Sequence, residues 1–263
     1  MDPPHPAIAG FERNAEAYER GRPEYPAGAV DELAARTGIG PGRTVLDLAA
    51  GTGKMTGALR ATGARVVAAE LTRGMRAVFF GRFGSRDLVA ARAEALPFGD
   101  GAFDAVVVAQ AFHWFAGPPA LDEIARVLRP GGGLGLVWNR RDESVAWVRR
   151  LGALVDRHAG SMPRARPSAW RPAFRTPAAR EQFTALRRAE FCMVQPASPA
   201  TVVDRFVSVS VIGTLPRETR DAFAGAVRAV LEDDPATRGR ATVEIPYRTE
   251  IYWCRRRRGS ASA

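Results

Sequence analysis

The sequence predicts an α/β protein with a Rossmann-like, seven-stranded, mostly parallel sheet and helices on both of its faces. The first observation is a short apolar run over residues 44–50, which is typical of a strand buried on both faces of a parallel sheet. The second is the end of that run at Gly51-Thr52-Gly53, after which a helical pattern begins at Lys54. The third is repetition of this order, because strand patterns at 65–71 and 101–108 alternate with helical patterns.

The other elements are predicted from residue periodicity in chain order. Helical patterns cover residues 30–37, 72–83, 120–128, 144–157, 199–213 and 216–232. Glycine and proline mark their ends, as at Gly38 and at Arg129-Pro130-Gly131-Gly132-Gly133. Strand patterns cover residues 134–138, 186–195 and 242–254. Pro246 in the last of these indicates a bend or an edge position.

The glycine turn after the first strand is predicted to hold an anion. Its glycines let the backbone approach a ligand closely, and the first N–H groups of the next helix point at that ligand. A dinucleotide site would have a third glycine in place of Thr56 and no charge at Asp47 inside the strand. The second strand ends in Glu70, whose carboxylate is placed to accept both hydroxyls of an adenosine ribose. The alternative is that Glu70 is an exposed residue that only solubilises a loop.

Residues 45–53 resemble the first motif of the class I S-adenosylmethionine-dependent methyltransferases, V-L-D-x-G-x-G-T-G. The Leu96-Pro97-Phe98 turn and the Leu-Arg-Pro-Gly-Gly break at residues 128–132 are also similar to that family, in its type 11-like, small-molecule branch. The resemblance is strong over residues 11–140 and looser beyond. Ala49 replaces the usual first glycine, and we expect a negative φ there. The resemblance implies S-adenosyl-L-methionine as cofactor, S-adenosyl-L-homocysteine as product and an antiparallel last strand.

The same resemblance assigns cofactor-binding residues along the chain. By this resemblance, the first motif binds the methionine end of the cofactor and Glu70 binds the ribose. The segments that follow the second and third strands bind the adenine. Gln110, after the fourth strand, is expected near the reaction centre. The full set is Asp47, Ala49, Gly51, Gly53, Glu70, Leu71, Met75, Ala93, Glu94 and Gln110, with Met75 expected to be core first and pocket wall second.

Acceptor contacts are predicted from two segments. In the family, the stretch over residues 18–26 folds over cofactor and acceptor, so Tyr18 and Arg22 are expected lid residues, although simple packing on the sheet edge is an equal interpretation. The proline-rich stretch 158–182 is expected to cover the acceptor pocket, or to be a charged, solvated loop. The predicted acceptor-contacting residues are Tyr18, Arg22, His113, Trp114, Trp138 and Trp170, with Arg164, Arg166, Arg171 and Arg175 as candidate carboxylate ligands.

His113 is the candidate general base, with Gln110 as the other catalytic candidate. An imidazole with an ordinary pKa near 6.5 can take a proton from an acceptor hydroxyl or carbon acid. The alternative is that His113 orders its loop by hydrogen bonding. An Asn/Asp-Pro-Pro-Tyr/Phe motif for amino-group methylation does not occur at this position, which disfavours DNA bases as acceptors. The three histidines have no metal-ligand spacing, so no metal is expected.

Length and composition predict one domain over residues 1–263. It divides into a lid segment (1–26), a cofactor-binding core (27–157), an insertion and helices around the acceptor (158–240), and a last strand with a basic tail (241–263). The net charge of +10 suggests nucleic acid, but Lys54 is the only lysine and the dense cluster at 255–258 lies near the chain end, where solvated charge suffices. We expect a cytoplasmic protein with no membrane span and leave a homo-oligomer open.

The sequence therefore predicts methyl transfer from S-adenosylmethionine to a small molecule, a metabolite or natural product, at oxygen, nitrogen or carbon. Proximity and in-line orientation would carry most of the rate acceleration. Three alternatives remain: a methyltransferase acting on RNA or protein, a cyclase that keeps the cofactor without methylating, and a protein that only binds the cofactor.

Overall fold

The computed structural model describes residues 15–159 and 169–258, and it confirms the predicted α/β sheet. The strands are β1 (Thr44–Leu48), β2 (Arg65–Ala69), β3 (Leu88–Val89), β4 (Phe103–Ala109), β5 (Leu128–Arg141), β6 (Arg187–Ala197) and β7 (Val243–Arg255). They form one seven-stranded sheet in the order β3-β2-β1-β4-β5-β7-β6. Strands β1 to β5 are parallel, whereas β7 runs antiparallel to both β5 and β6, as expected for the last strand.

The helices connect these strands and cover the sheet. Helix α1 occupies residues 15–21 of the described chain. It is followed by α2 (Ala27–Thr37), α3 (Lys54–Ala61), α4 (Arg73–Phe83), α5 (Pro118–Val127), α6 (Ala146–Ala159), α7 (Pro177–Gln182), α8 (Pro199–Val207), α9 (Ser210–Gly213) and α10 (Arg217–Asp233). Short 3-10 turns lie at Phe112–Trp114 and Arg171–Arg175. In the two described ranges, no helix has both the length and the apolar character that a membrane crossing requires.

The boundaries differ from the predicted ones where local hydrogen bonds intervene. The helix expected over 199–213 is broken into α8 and α9 at Ser208, whose hydroxyl donates to the carbonyl of Arg205 (3.0 Å). β5 starts six residues before the predicted strand, because Leu128 already pairs with Phe103 ahead of a register shift. Pro246 lies inside β7, next to Tyr247, the last residue paired with β5, and its carbonyl still accepts from the Asp142 N–H (2.9 Å). Its missing N–H therefore costs only the reciprocal bond at the end of that ladder.

The sheet is buried on both faces, as its apolar strands require. Successive residues of β4 alternate between two cores: Val106 and Val108 pack against α5, and Ala105 and Val107 pack against α2 and α3. A third cluster joins α6, α8 and α10 to the first half of β7. This helical layer therefore covers the end of the sheet where β7 begins, next to the carboxyl end of β5, because β7 runs antiparallel to β5.

The basic residues 255–258, at the end of β7 and just after it, are only partly the solvated charge that the sequence suggests. Arg255 donates to the carbonyls of Gly131 (3.1 Å) and Arg36 (2.7 Å). Arg256 donates to the carbonyl of Leu128, and Arg257 to those of Arg180 (2.9 Å) and Phe183 (3.1 Å). Apart from that of Gly131, which belongs to β5, these carbonyls lie at or near the carboxyl ends of α2, α5 and α7, where helices leave acceptors without intrahelical partners. The basic cluster at 255–258 thus donates hydrogen bonds to backbone carbonyl groups.

Candidate functional site

A narrow cleft lies at the carboxyl ends of β1, β4 and β5, beneath the N-terminal segment (residues 15–26). In a parallel α/β sheet this edge is where ligands bind, at the point where the strand order reverses. The structure brings five of the predicted site residues together there: Tyr18, Arg22, Ala49, Gly51 and Gln110. The other lining residues are Pro23, Tyr25, Ala50, Thr52, Lys54, Met55, Ala109, Asn139 and Arg205.

The turn after β1 has three residues in the left-handed region. The φ angles are 58° at Ala49, 59° at Gly51 and 88° at Gly53. The expected negative φ at Ala49 is therefore wrong, and alanine here carries the strain that glycine would avoid. A Cβ built on Gly51 would meet no atom within 4 Å, so the turn presents bare backbone to open space. Strained backbone held beside a cleft is typical of a functional site.

Replacing Ala49 by glycine should leave the protein as stable or stabilise it by up to about 1.5 kcal/mol. Relief of the left-handed alanine is worth roughly 1–2 kcal/mol, against roughly 0.4–1 kcal/mol for the greater freedom of glycine in the unfolded chain. Urea unfolding of the two proteins measures the difference. A loss of stability would show that the Ala49 methyl group makes packing contacts that outweigh its strain.

Asp47 lies beneath this turn and is fully buried. Its Oδ2 accepts a 2.6 Å hydrogen bond from the Thr56 hydroxyl, and its Oδ1 has no hydrogen-bond partner among residues 15–159 and 169–258. Burial raises the pKa of Asp47 to about 7, the Thr56 hydrogen bond opposes that shift, and the nearby Glu70 adds to it. Asp47 thus connects β1 to α3, the two elements that flank the turn, and its predicted contact with the cofactor stays a prediction.

Glu70 braces the same turn from β2. Its Oε2 accepts from the Gly51 N–H (2.9 Å) and its Oε1 from the Thr72 N–H (2.7 Å), and only 6% of the residue is exposed. Glu70 is thus not the exposed, solubilising residue of the alternative interpretation. Each carboxylate oxygen keeps further lone pairs for a ligand.

The predicted adenine-side residues follow the ends of β2 and β3. Leu71 is 43% exposed, and the Arg76 guanidinium donates to its carbonyl. Met75 is buried, as expected for a core residue. Ala93 is buried and Glu94 partly buried in the tight turn between Arg92 and Ala95, which form an isolated β-bridge. Their contacts with adenine remain predictions.

Gln110 and His113 follow β4. Gln110 has a φ of 62°, and its side-chain amide donates to the Asn139 carbonyl at 3.4 Å. The Trp138 indole N–H lies 3.5 Å from Nδ1 of His113, whose ring also contacts Trp114. In this arrangement the neutral imidazole carries its proton on Nε2. The general-base role of His113 therefore requires the contact with Trp138 to open, and it stays a prediction.

Trp170 lies in an aromatic cluster rather than on the cleft wall. Its ring stacks on Trp138 with centroids 4.7 Å apart, and it meets Phe112, Phe174 and Tyr252 edge-on. The residue is 2% exposed. This packing holds Trp138, and through it the loop of His113; contact of Trp170 with the acceptor stays a prediction.

The N-terminal segment is fixed over the cleft by ionic and polar contacts. Lys54, at the start of α3, pairs with Glu24 (2.8 Å) and Glu19 (3.3 Å), and Arg82 also pairs with Glu19 (2.8 Å). The Asn139 side chain donates to the carbonyl of Glu24 (3.0 Å). Tyr18 and Arg22 are thereby placed at the cleft, with the Arg22 guanidinium 4.8 Å from the centre of the Tyr18 ring.

Sequence reasoning did not single out several residues at the cleft. Asn139 connects β5 to β7 and to the N-terminal segment, since its Oδ1 accepts from the Thr249 hydroxyl (2.7 Å). Lys54 carried a signal, as the only lysine and the residue directly after the glycine turn. Tyr25 belongs to the stretch 18–26 that is predicted to fold over the cofactor, and Asn139 and Arg141 follow the strand pattern 134–138 at the active edge of the sheet. Arg205 carried no signal, because nothing local marks it as their neighbour.

The two described arginines among those predicted to bind a carboxylate, Arg171 and Arg175, do not line this cleft. Arg164 and Arg166 lie outside the described residues. Arg171 donates to the Tyr252 hydroxyl (2.6 Å), and with Arg175 it lines a separate, more open cavity beside α7.

Comparison with known proteins agrees with this geometry. Residues 46–136 match the family model described as a methyltransferase domain. An uncharacterised methyltransferase of Mycobacterium tuberculosis is 39% identical over 89% of this chain and 90% of its own length. A demethylmenaquinone methyltransferase of Clavibacter sepedonicus is 40% identical over 49% of this chain and 56% of its own length. The structure of a putative type II methyltransferase from Anaeromyxobacter dehalogenans shares the fold, with a TM-score of 0.60 and 20% identity. The match covers 90% of this chain and 97% of that one.

Proposed function

Because this chain belongs to the class I S-adenosylmethionine-dependent methyltransferases, we propose that it methylates a small molecule held in the cleft beneath its N-terminal segment. The fixed position of that segment is the observation that supports a small-molecule acceptor. Lys54 and Arg82 hold Glu19 over the strand ends, and Asn139 holds the backbone at Glu24. A macromolecular acceptor could reach Gln110 only after these contacts had broken. The demethylmenaquinone methyltransferase relative, by its name, also acts on a small molecule.

The residues around the glycine turn fit S-adenosylmethionine. Gly51 has open space where a side chain would lie, so backbone can meet the methionine end. Glu70 presents a nearly buried carboxylate at the end of β2, at the distance along the sheet where a ribose diol would bind. The Glu70 carboxylate suits a cationic cofactor in this half of the cleft, and Asp47, whose pKa burial raises to about 7, adds negative charge when it ionises.

When bound, S-adenosylmethionine supplies a methyl group already activated by a sulfonium centre, so the protein needs chiefly to position the acceptor. Gln110 is the residue placed for this task, because its left-handed backbone projects the side chain across the cleft toward β5. Tyr18, Tyr25 and Arg22 cover the cleft and exclude water. Water exclusion also strengthens every polar contact that orients the acceptor.

The proposal is tested by calorimetric titration of the protein with S-adenosylmethionine and, separately, with NADH. We expect binding of the first alone, followed by release of S-adenosylhomocysteine when acceptors are screened. Binding of NADH alone, or of neither, would contradict the proposed cofactor. Bound S-adenosylmethionine that stays intact, with no S-adenosylhomocysteine formed while a substrate is cyclised, would favour a cyclase, and a salt-sensitive affinity for RNA would favour a macromolecular acceptor.

Replacing Glu70 by alanine should weaken S-adenosylmethionine binding by about 1–3 kcal/mol, because buried hydroxyls would lose their acceptor. The same change leaves the N–H groups of Gly51 and Thr72 without the carboxylate, so the turn itself loosens. Calorimetry of both proteins measures the loss. Glu244→Ala, an exposed carboxylate in β7, is the matched control and should bind as the wild type does. Unchanged affinity in Glu70→Ala would mean that the ribose is held elsewhere.

A further inference from the structure

Three guanidinium groups from distant parts of the chain converge at one end of the cleft. Arg22 comes from the N-terminal segment, Arg141 from the carboxyl end of β5 and Arg205 from α8. Arg22 and Arg205 line the cleft, and Arg205 is only 3% exposed. The Arg141 side chain is 12% exposed and lies against the Phe206 ring, 4.5 Å from its centre. We call these three residues the arginine cluster.

The arginine cluster is poorly compensated by the groups around it. Among the described residues, Nε of Arg22, Nε of Arg141 and Nη1 of Arg205 are buried atoms with no hydrogen-bond partner. The Arg205 Nε donates to the Tyr247 hydroxyl (3.0 Å), which is a neutral group. The only carboxylate paired with the cluster in the described part of the chain is that of Glu143, 3.9 Å from Arg141 and 46% exposed.

The charge of the cluster agrees with this lack of partners. Burial first, and repulsion from Arg205 second, lower the pKa of Arg22 to about 10 and that of Arg141 to about 9. Arg22 and Arg141 still carry their charge at neutral pH. Buried cations without counter-ions are costly, so a protein that keeps three of them has an anionic group to receive there.

The position of the cluster separates it from the cofactor half of the cleft. Glu70 and the glycine turn lie at β2 and β1, whereas Arg141 lies at the end of β5, on the opposite side of β4. Gln110, at the end of β4, lies between the two halves. A cofactor bound across β2 and β1 would direct its methyl group toward β4, and the acceptor would then extend over β5. The arginine cluster is on the acceptor side.

We propose that the acceptor of this enzyme is a small organic acid, anchored through a carboxylate by Arg22, Arg141 and Arg205. This inference rests on the proposed methyl transfer and adds the chemical class of its acceptor. Guanidinium groups bind carboxylates through paired, charge-assisted hydrogen bonds, which are strong where water is excluded. The guanidinium groups also occupy the lone pairs of the carboxylate oxygens, so this carboxylate serves only to anchor the acceptor. A different group of the acceptor faces Gln110.

The test uses the protein saturated with S-adenosylhomocysteine and simple carboxylates as probes. Succinate, glutarate, citrate and benzoate are compared with the uncharged succinamide and benzamide by thermal unfolding. At about 100 times its dissociation constant, a bound carboxylate should raise the Tm by roughly 5–10 °C, and the amides should not. Arg205→Met and Arg141→Met should each lose this shift while keeping their affinity for S-adenosylhomocysteine within about twofold. Arg171→Met, in the separate cavity beside α7, is the matched control and should keep it.

Each result either supports the proposal or overturns it. Absence of a carboxylate-dependent shift in the wild type, or its survival in both variants, would overturn it. A tenfold loss of S-adenosylhomocysteine binding with the carboxylate shift retained would assign the cluster to the cofactor's own carboxylate instead. Loss of the shift in Arg171→Met alone would move the acid site to the other cavity. If the wild type fails to bind S-adenosylhomocysteine, the proposed function falls, and the same carboxylates titrated alone still report on the cluster.

Discussion

Replacing Gly21 by alanine is expected to displace the N-terminal segment and to weaken S-adenosylmethionine binding about tenfold or more. A Cβ at this position would lie 2.5 Å from the backbone nitrogen of Arg205, 2.6 Å from its Cα and 2.9 Å from the carbonyl carbon of Asp204. These are backbone atoms of α8, which cannot rotate away as a side chain can. Overpacking of this kind costs roughly 1–3 kcal/mol. The segment must shift, and Tyr18 and Arg22 would move away from the cleft with it.

Calorimetry with S-adenosylmethionine and limited proteolysis of the segment measure this effect. Gly28→Ala is the matched control, because its Cβ would meet only the Phe191 ring at an ordinary 3.7 Å and alanine favours the helix there. The control should bind cofactor normally and be slightly more stable. Normal cofactor binding in Gly21→Ala would show that the segment does not contribute to the cofactor site.

The cofactor half of the site was predictable because its signals are local. The turn at Gly51 and the acid Glu70 belong to consecutive βαβ elements, and the carboxyl ends of parallel strands meet at one edge of the sheet. The order of elements and the antiparallel direction of β7 also followed from the sequence and the resemblance. Local sequence patterns did not predict the backbone conformation of the turn after β1, where Ala49 adopts the left-handed geometry of the glycine it replaces.

The acceptor half could not be predicted in the same way because its residues meet only through tertiary packing. Arg22 and Arg205 are 183 positions apart, and each reads as one more charged residue in an arginine-rich chain. Their proximity depends on the close contact between Gly21 and the backbone of α8. The arginines at 171 and 175 looked more significant in the sequence only because they are close together along the chain.

Replacing Asp47 by asparagine should make the protein more stable, relative to the wild type, as the pH rises. The difference in the free energy of unfolding between variant and wild type should grow by roughly 2–3 kcal/mol between pH 5 and pH 8. The pKa of Asp47 is about 7 in the folded protein, mainly because of burial, and near 3.9 in the unfolded chain. Between these values the folded state holds a proton that the unfolded state has released, so wild-type stability falls as the pH rises and levels off above pH 7. Asparagine does not titrate, so the variant lacks this decline.

Urea unfolding of both proteins at pH 5, 6, 7 and 8 measures the difference. Asp104→Asn is the control of opposite sign, since Asp104 accepts from the Thr44 N–H (2.8 Å) and from Arg129 (2.7 Å), contacts that hold its pKa below the usual range. The stability that Asp104 contributes is present above the unfolded pKa and lost only as the pH falls through the folded one, so its replacement should cost the same amount at pH 5 and pH 8. A pH-independent difference for Asp47→Asn would mean that the buried carboxylate stays ionised throughout.

If Asp47 also meets a cationic cofactor, wild-type affinity for S-adenosylmethionine should rise with pH through 7, because binding then favours the ionised form. The variant should lose that dependence.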